Sequence, residues 1–344
     1  MSKSLEEIRK KLQALDTRKG PASGGNGDKT TYPHWNIPEG SSATIRLLPD
    51  GNESNDFFWV EKQMIKLSFP GIKGHDEHKP IEIQVPCIEM WDGKNKCPIL
   101  NEVRPMWKDP SLEAIARKYW IKKTYYMQGF VKSDPLGETD APENPIRKFM
   151  ITNQIYAIIK AALMDNDMTT NPVDYINGTD FIINKTSKGG YADYGTSKWA
   201  RKETSITPEM QDAIDQYGLV DLSTYLPKRP TPEQLAAMFD MFQASLEGEL
   251  YDPAKWAQFY KPYGFDTGTS SNADSRPAPA PARAVQAPAP KPAVINEDQL
   301  DTDDNEPPFD GGTKSEPAPV ESTGAATAAK SPQEILAMLR NRNK

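Results

Sequence analysis

The chain has 344 residues, 37% of them hydrophobic, with 31 prolines and a net charge of -7; its mean hydropathy is -0.68. That is enough apolar material for a core, but not for one spanning the whole length. Two cysteines are too few for a disulfide framework, the opening MSKSLEEIRKK lacks an apolar leader segment, and no run approaches the roughly 18 apolar residues of a membrane helix. The sequence therefore predicts a soluble protein of a reducing compartment with no membrane partner.

Net charge alone argues against a polyanion ligand, but its distribution reverses that. Residues 1–205 hold 29 Lys and Arg against 27 Asp and Glu, residues 206–270 hold 4 against 10, and residues 271–344 hold 8 against 11. Positive charge lies in front and negative charge behind, compatible with a polyanion-binding body opposed by an acidic rear.

In chain order, Ser4 with Glu7 forms a capping-box pattern ahead of Leu5, Ile8, Leu12 and Leu15, so residues 1–20 read as a short helical arm carrying Lys3, Arg9, Lys10 and Lys11. The run GPASGGNGD (20–28) then marks a flexible hinge, assigned to 21–29. Residues 30–205 read mainly as strands: ATIRLLP (43–49), FFWVEKQMIKL (57–67), IEIQVPCIEMW (81–91), YWIKKTYYMQGFVK (119–132) and DFIINKT (180–186). Helices are predicted around 111–119 and 152–164. Short strands without a βαβ rhythm favour a small antiparallel barrel of about five strands. From 206 to 265 Thr-Pro-Glu starts mark acidic helices that pack on this core. Residues 266–330 are Pro- and Ala-rich, then acidic, and read as a disordered tail. The last segment, SPQEILAMLRNRNK (331–344), reads as a capped amphipathic helix of the kind that docks in a groove.

Catalytic signatures are missing. The three histidines adjoin no nucleophile motif, and neither G-x-S-x-G nor G-x-x-x-x-G-K-[ST] occurs. His75, His78, Cys87 and Cys97 fall within 23 positions, but the run CPIL puts Leu100 where a second close thiolate would stand. Two core cysteines and two solvated histidines are the favoured reading, with no metal ligands assigned. The strongest chemical signal is the interleaving of aromatic with basic residues: YWIKKTYY at 119–126, KGGYADYGTSKWARK at 188–202, and Trp91 near Lys94 and Lys96. Unpaired nucleic acid needs both groups, since bases stack on rings while cations follow phosphates. In the second cluster a Gly- and Ser-rich loop is predicted to hold Tyr191, Tyr194 and Trp199 away from any core.

With these residues in place, the chain resembles the single-stranded DNA-binding (helix-destabilising) proteins of T-even-type bacteriophages. The resemblance rests on ATIRLLP, KKTYY followed by VKSDP, APENPIRKF (141–149) and NPVDYINGTDFIINKTSKGGYADY (171–194), in that order, over about residues 1–205. It implies an OB-fold-like core that binds single strands in a basic cleft, an arm for self-association along DNA, and an acidic tail that recruits replication and recombination proteins such as a polymerase, helicase loader or recombinase. Sequence-independent coating of DNA intermediates in the cytoplasm of an infected bacterial host follows. By the same resemblance Arg46, Lys122 and Lys123 are expected at phosphates, and Tyr126, Tyr191 and Tyr194 at bases. Tyr125, Trp91, Trp120, Lys185, Lys188, Lys198 and Trp199 join the predicted DNA-binding set through their neighbours. The basic-then-hydroxyl motif of the family's arm is kept only at Lys3 and Ser4, so Arg9, Lys10 and Lys11 are expected to carry self-association. The family's zinc site uses three cysteines and a histidine. Cys87 and Cys97 match two of them, Leu100 falls at the third, and no cofactor is expected. The competing readings are a phage structural or scaffold protein, whose aromatics merely pack a β-core, and a zinc-dependent nuclease or regulator.

Overall fold

The computed structural model describes residues 29–138 and 141–262. The predicted arm, most of the hinge, the acidic tail and the terminal helix lie outside the described residues, as do Lys3, Arg9, Lys10 and Lys11. Nine strands are described: β1 (Ser42–Leu48), β2 (Val60–Phe69), β3 (Ile81–Pro86), β4 (Lys122–Ser133), β5 (Arg147–Thr152), β6 (Thr179–Asn184), β7 (Thr186–Lys188), β8 (Tyr191–Asp193) and β9 (Lys198–Glu203). Helices α1 (Glu89–Asp92), α2 (Pro98–Met106) and α3 (Glu113–Lys118) separate β3 from β4. Helix α4 (Asn153–Leu163) follows β5, and α5 (Pro208–Tyr217), α6 (Pro232–Glu247) and α7 (Pro253–Trp256) close the described chain.

The main sheet is antiparallel, in the order β3-β2-β4-β1-β6-β9, with β5 also paired to β4. The long β4 organises it. Residues 124–129 of β4 pair with β5, while residues 122–126 pair with β2 and residues 128–133 with β1. Because these ranges overlap, β2 and β1 must follow one another along the edge of β4 opposite β5. The closed small barrel expected from the sequence is corrected to an open sheet: no ladder among the described residues joins β5 to β9. Polar composition explains part of this, since β9 is KWARKE and four of its six residues are exposed, a sequence suited to an edge.

Two cores flank the sheet. Tyr125 and Met127 of β4 pack with Ile45, Phe149, Ile151 and Phe181, and α4 closes this core with Ile155 and Ile159 one helical turn apart. The second core lies under the β2–β3 hairpin, where Ile65, Leu67 and Val85 meet Leu100 and Val103 of α2 and Met238, Met241 and Phe242 of α6. Helix α6 therefore packs on the strand body. Helix α6 starts on a capping box formed by Thr231 and Gln234 with Pro232 at the first turn, and stops at Gly248 in the left-handed region. Among the described residues no helix is long and apolar enough to cross a membrane.

Candidate nucleic-acid interface

Side chains directly opposite in antiparallel strands share a face. Across β2, β4 and β5 the register therefore places Val60, Tyr126 and Met150 in one row and Lys62, Thr124 and Thr152 in the next; Lys122 is opposite Met64 and Lys148 opposite Gln128. The opposite face carries Tyr125 into the core. Adjacent tyrosines thus serve different sides of one strand.

On the first face, Tyr126, Met150, Val60, Trp35 and Tyr225 form a compact cluster. Lys62 Nζ donates to the Tyr126 hydroxyl at 3.3 Å and lies 5.8 Å from its ring centroid. Lys148 Nζ lies 6.0 Å from the Tyr126 centroid and 4.6 Å from that of Tyr225, whose ring sits 5.6 Å from Tyr126 at 39°. Lys185 donates to the Trp35 carbonyl at the border of the cluster. Lysines and aromatic rings therefore converge on one sheet face, with Tyr126 only 3% exposed beneath Tyr225.

The position of Tyr225 is built by a side chain of β4. The Gln128 amide donates to the carbonyls of Pro49 and Val220 and accepts from the Val220 amide, while Asp50 accepts from the Leu222 amide at 2.8 Å. These bonds anchor the 3-10 turn Leu222–Tyr225. Behind Trp35, the His34 ring is fully buried, edge-on to Trp35 at 5.3 Å and to Tyr194 at 5.7 Å. Burial pulls the His34 imidazole down to about 4, against a smaller upward pull from the Tyr32 backbone.

Of the predicted site residues, Lys122, Tyr126 and Lys185 are brought to this face. Tyr191, 77% exposed, pairs with Lys188 across the β7–β8 hairpin, which starts directly after Lys185 and so springs from the border of the same site. The expected convergence of Tyr126, Tyr191 and Tyr194 is corrected: Tyr194 is 3% exposed inside the core of Tyr125, and burial pushes its hydroxyl up to about 12. Trp199 lies on β9 and packs on Phe181 at 5.0 Å, so of the three expected loop aromatics Tyr194 is in the core, Trp199 is partly buried against it and Tyr191 alone is exposed. Lys198, next to it, is exposed. Trp120 stands edge-on to Trp107 in the second core, with Trp91 packed against that core. Lys123 points away from the basic face and pairs with Glu61 at 2.9 Å.

Arg46 departs furthest from the expectation. It is 1% exposed, and its guanidinium donates to the carbonyls of Asp174 and Thr204 at 2.7 Å each and pairs with Asp180 at 3.5 Å. Lys132 Nζ reaches the other Asp180 oxygen at 2.6 Å. A Cβ at Gly178 would overlap both Arg46 Nη2 and the Asp174 carbonyl oxygen, so this close approach requires glycine. Arg46 ties β1 to the segment before β6; it does not reach solvent to meet a phosphate.

The sequence reading missed Lys62, Lys148, Tyr225 and Trp35. Parity on β2 and β5 would have matched Lys62 and Lys148 to Tyr126, had β5 been recognised as a strand. No local signal points from Tyr225 to β4. Cys87 and Cys97 are both buried and hydrogen-bonded to each other, which with burial pushes the Cys87 thiol up. Leu100 is a fully buried hydrocarbon and His75 and His78 are exposed, so the donor set is two sulfurs, which do not fit a four-ligand zinc site. Among the described residues no group of three or more His, Cys, Asp or Glu converges as metal ligands do.

A family model described as gp32 DNA binding protein like matches residues 39–234, more than half of the chain. The chain belongs to the gp32-like family of DNA-binding proteins. The matched span contains β1 to β9 and Tyr225, so the basic face, apart from Trp35, lies within the family domain. This is a family of DNA-binding proteins, not of enzymes, and it supports single-stranded DNA as the ligand. No curated protein matches the chain.

Proposed function

We propose that a single DNA strand lies across the face of β2, β4 and β5, with its phosphates near Lys62, Lys122 and Lys148 and its bases on Tyr225 and Trp35. The observation that carries this reading is the convergence of those lysines and rings on one sheet face of a DNA-binding family domain. Tyr126 then acts as the floor on which Tyr225 rests, and the β7–β8 hairpin adds Lys188 and Tyr191 at one end. Stacking and phosphate neutralisation are both indifferent to sequence, and both favour unpaired over duplex DNA. The strand order β5-β4-β1-β6-β9, with α4 between β5 and β6, is compatible with an opened OB-like core whose outer face is this surface.

The wider proposal is a non-enzymatic coat on DNA intermediates of replication, recombination and repair in an infected bacterial cytoplasm. Residues 1–20 supply contacts between neighbouring copies, and the acidic sequence of 297–310 recruits replication and recombination proteins. Removal of residues 1–20 is expected to lower cooperativity on a long lattice much more than affinity for a short oligonucleotide; equal losses contradict the arm's role. For the site itself, titration with oligo-dT should quench tryptophan emission, and added salt should reverse it. Emission that does not respond to oligo-dT removes the reading.

A further inference from the structure

A groove of about 990 Å³ runs from the Trp59–Tyr156 side of the sheet to Val60, Ser223 and Leu226 at the border of the proposed DNA face, and its Phe57–Met164 end is not used by the DNA reading. Its floor is a chain of rings running from core to solvent. Tyr125 stacks on Tyr156 at 3.5 Å and 10°, Tyr156 meets Trp59 at 5.5 Å, and Trp59 meets Phe57 at 4.7 Å. Phe57 is 57% exposed and Met164, on the far wall, 79% exposed. These are two of four large apolar side chains left exposed among the described residues, and both border this one groove. Asp50, Asp56 and Glu61 line it with Lys160; Glu61 is paired with Lys123 and Asp50 is held inward by Asn55 and the Leu222 amide, which leaves Asp56 as the outward-facing carboxylate. A polyanion is disfavoured there, and an apolar segment with positive charge fits.

The chain contains such a segment. Residues 330–344 combine Ile335, Leu336, Met338 and Leu339 at helical spacing with Lys330, Arg340, Arg342 and Lys344 against Glu334 alone. The 68 residues from 263 to 330 can span about 220 Å when extended, against a radius of gyration of about 17 Å for the body, so reach sets no limit. We propose that residues 331–344 dock as an amphipathic helix in the Phe57–Met164 groove of the same chain, apolar face on the rings and basic end toward Asp56. Docking there would hold the acidic sequence of 297–310 close to the body while leaving the lysine face open.

Hydrogen exchange on the full chain without DNA tests this, comparing wild type with a Leu336→Asp, Leu339→Asp variant whose changes lie outside residues 29–262. Tethering at millimolar effective concentration predicts a loss of protection of about tenfold in 52–61 and 156–168, the same at every protein concentration, with β1 and β6 unchanged. Unchanged protection in those two segments overturns the proposal. A loss that appears only at high protein concentration assigns the groove to a second copy and also overturns it. Protection of the groove by oligo-dT in the variant would assign it to DNA instead, which equally rules out the docked helix.

Discussion

The two sides of β4 are built from the same residue types and differ in the sign of the charge around them. On one side Tyr126 and Tyr225 are approached by Lys62 and Lys148; on the other Tyr125, Tyr156, Trp59 and Phe57 are bordered by Asp56 and by Glu61, whose charge is paired with Lys123. Aromatic rings offer stacking to either kind of partner. The surrounding charges decide which partner is admitted, at a range of about 10 Å in ordinary salt. An aromatic-rich strand is thus an incomplete signal for nucleic acid until the parity of its lysines is known.

The largest expected effect tests whether Arg46 belongs to the frame and not to the DNA surface. Arg46→Ala leaves Asp180 buried with Lys132 as its remaining charge partner, and should cost about 3–5 kcal/mol of stability. Chemical denaturation measures this; a stable variant with weakened DNA binding would return Arg46 to the phosphate-contact role. Gly178→Ala should be destabilising for the same reason, since the added methyl would overlap Nη2.

Next comes pH. His34 is held neutral in the folded protein, with its pKa near 4 against about 6.5 unfolded, so the unfolded chain binds more protons between those values. Stability contributed by this group is complete above pH 6.5 and is lost as pH falls toward 4, by roughly 3 kcal/mol in all. His34→Phe, which keeps an apolar ring between Trp35 and Tyr194, should flatten that part of the stability profile. An unaltered slope would show that other groups set it.

Smaller effects separate the two sides of the strand. Tyr225→Ala should cost about 1–3 kcal/mol of oligo-dT affinity with little change in salt slope. Phe57→Ser, on the acidic side, should leave that affinity unchanged; a loss comparable to that of Tyr225→Ala would erase the distinction between the faces.

Much of the frame was legible because alternation of apolar and polar residues is a local property. β1, β6 and the helices at 113–118 and 153–163 lie close to where their patterns predicted. The run IEIQVPCIEMW was expected to remain a strand to 91, but pairing stops at Pro86 and Glu89–Asp92 turns helical before Gly93. β5 was missed because the apolar run FMI in RKFMIT shows no alternation, and β9 because a charged edge strand looks like a loop. Helix α2 was missed between Cys97 and Trp107 although Ile99, Leu100, Val103 and Met106 recur at helical spacing, a run that carries prolines at 98 and 105. For the site, the adjacency of Tyr125 and Tyr126 on a strand puts them on opposite faces, although both were expected at DNA. It could not reveal Tyr225, whose place depends on Gln128 binding a segment 92 residues away.

The central claim is tested most directly by the salt dependence of oligo-dT binding in two variants. Lys62→Ala with Lys148→Ala should weaken binding and make the slope of log K against log salt shallower by about 0.7 for each phosphate no longer neutralised. Lys123→Ala, on the reverse side of the strand and paired with Glu61, should leave both unchanged. Equal effects of the two variants, or a slope that moves only with Lys123, would contradict a DNA path across the Lys62–Lys148 face.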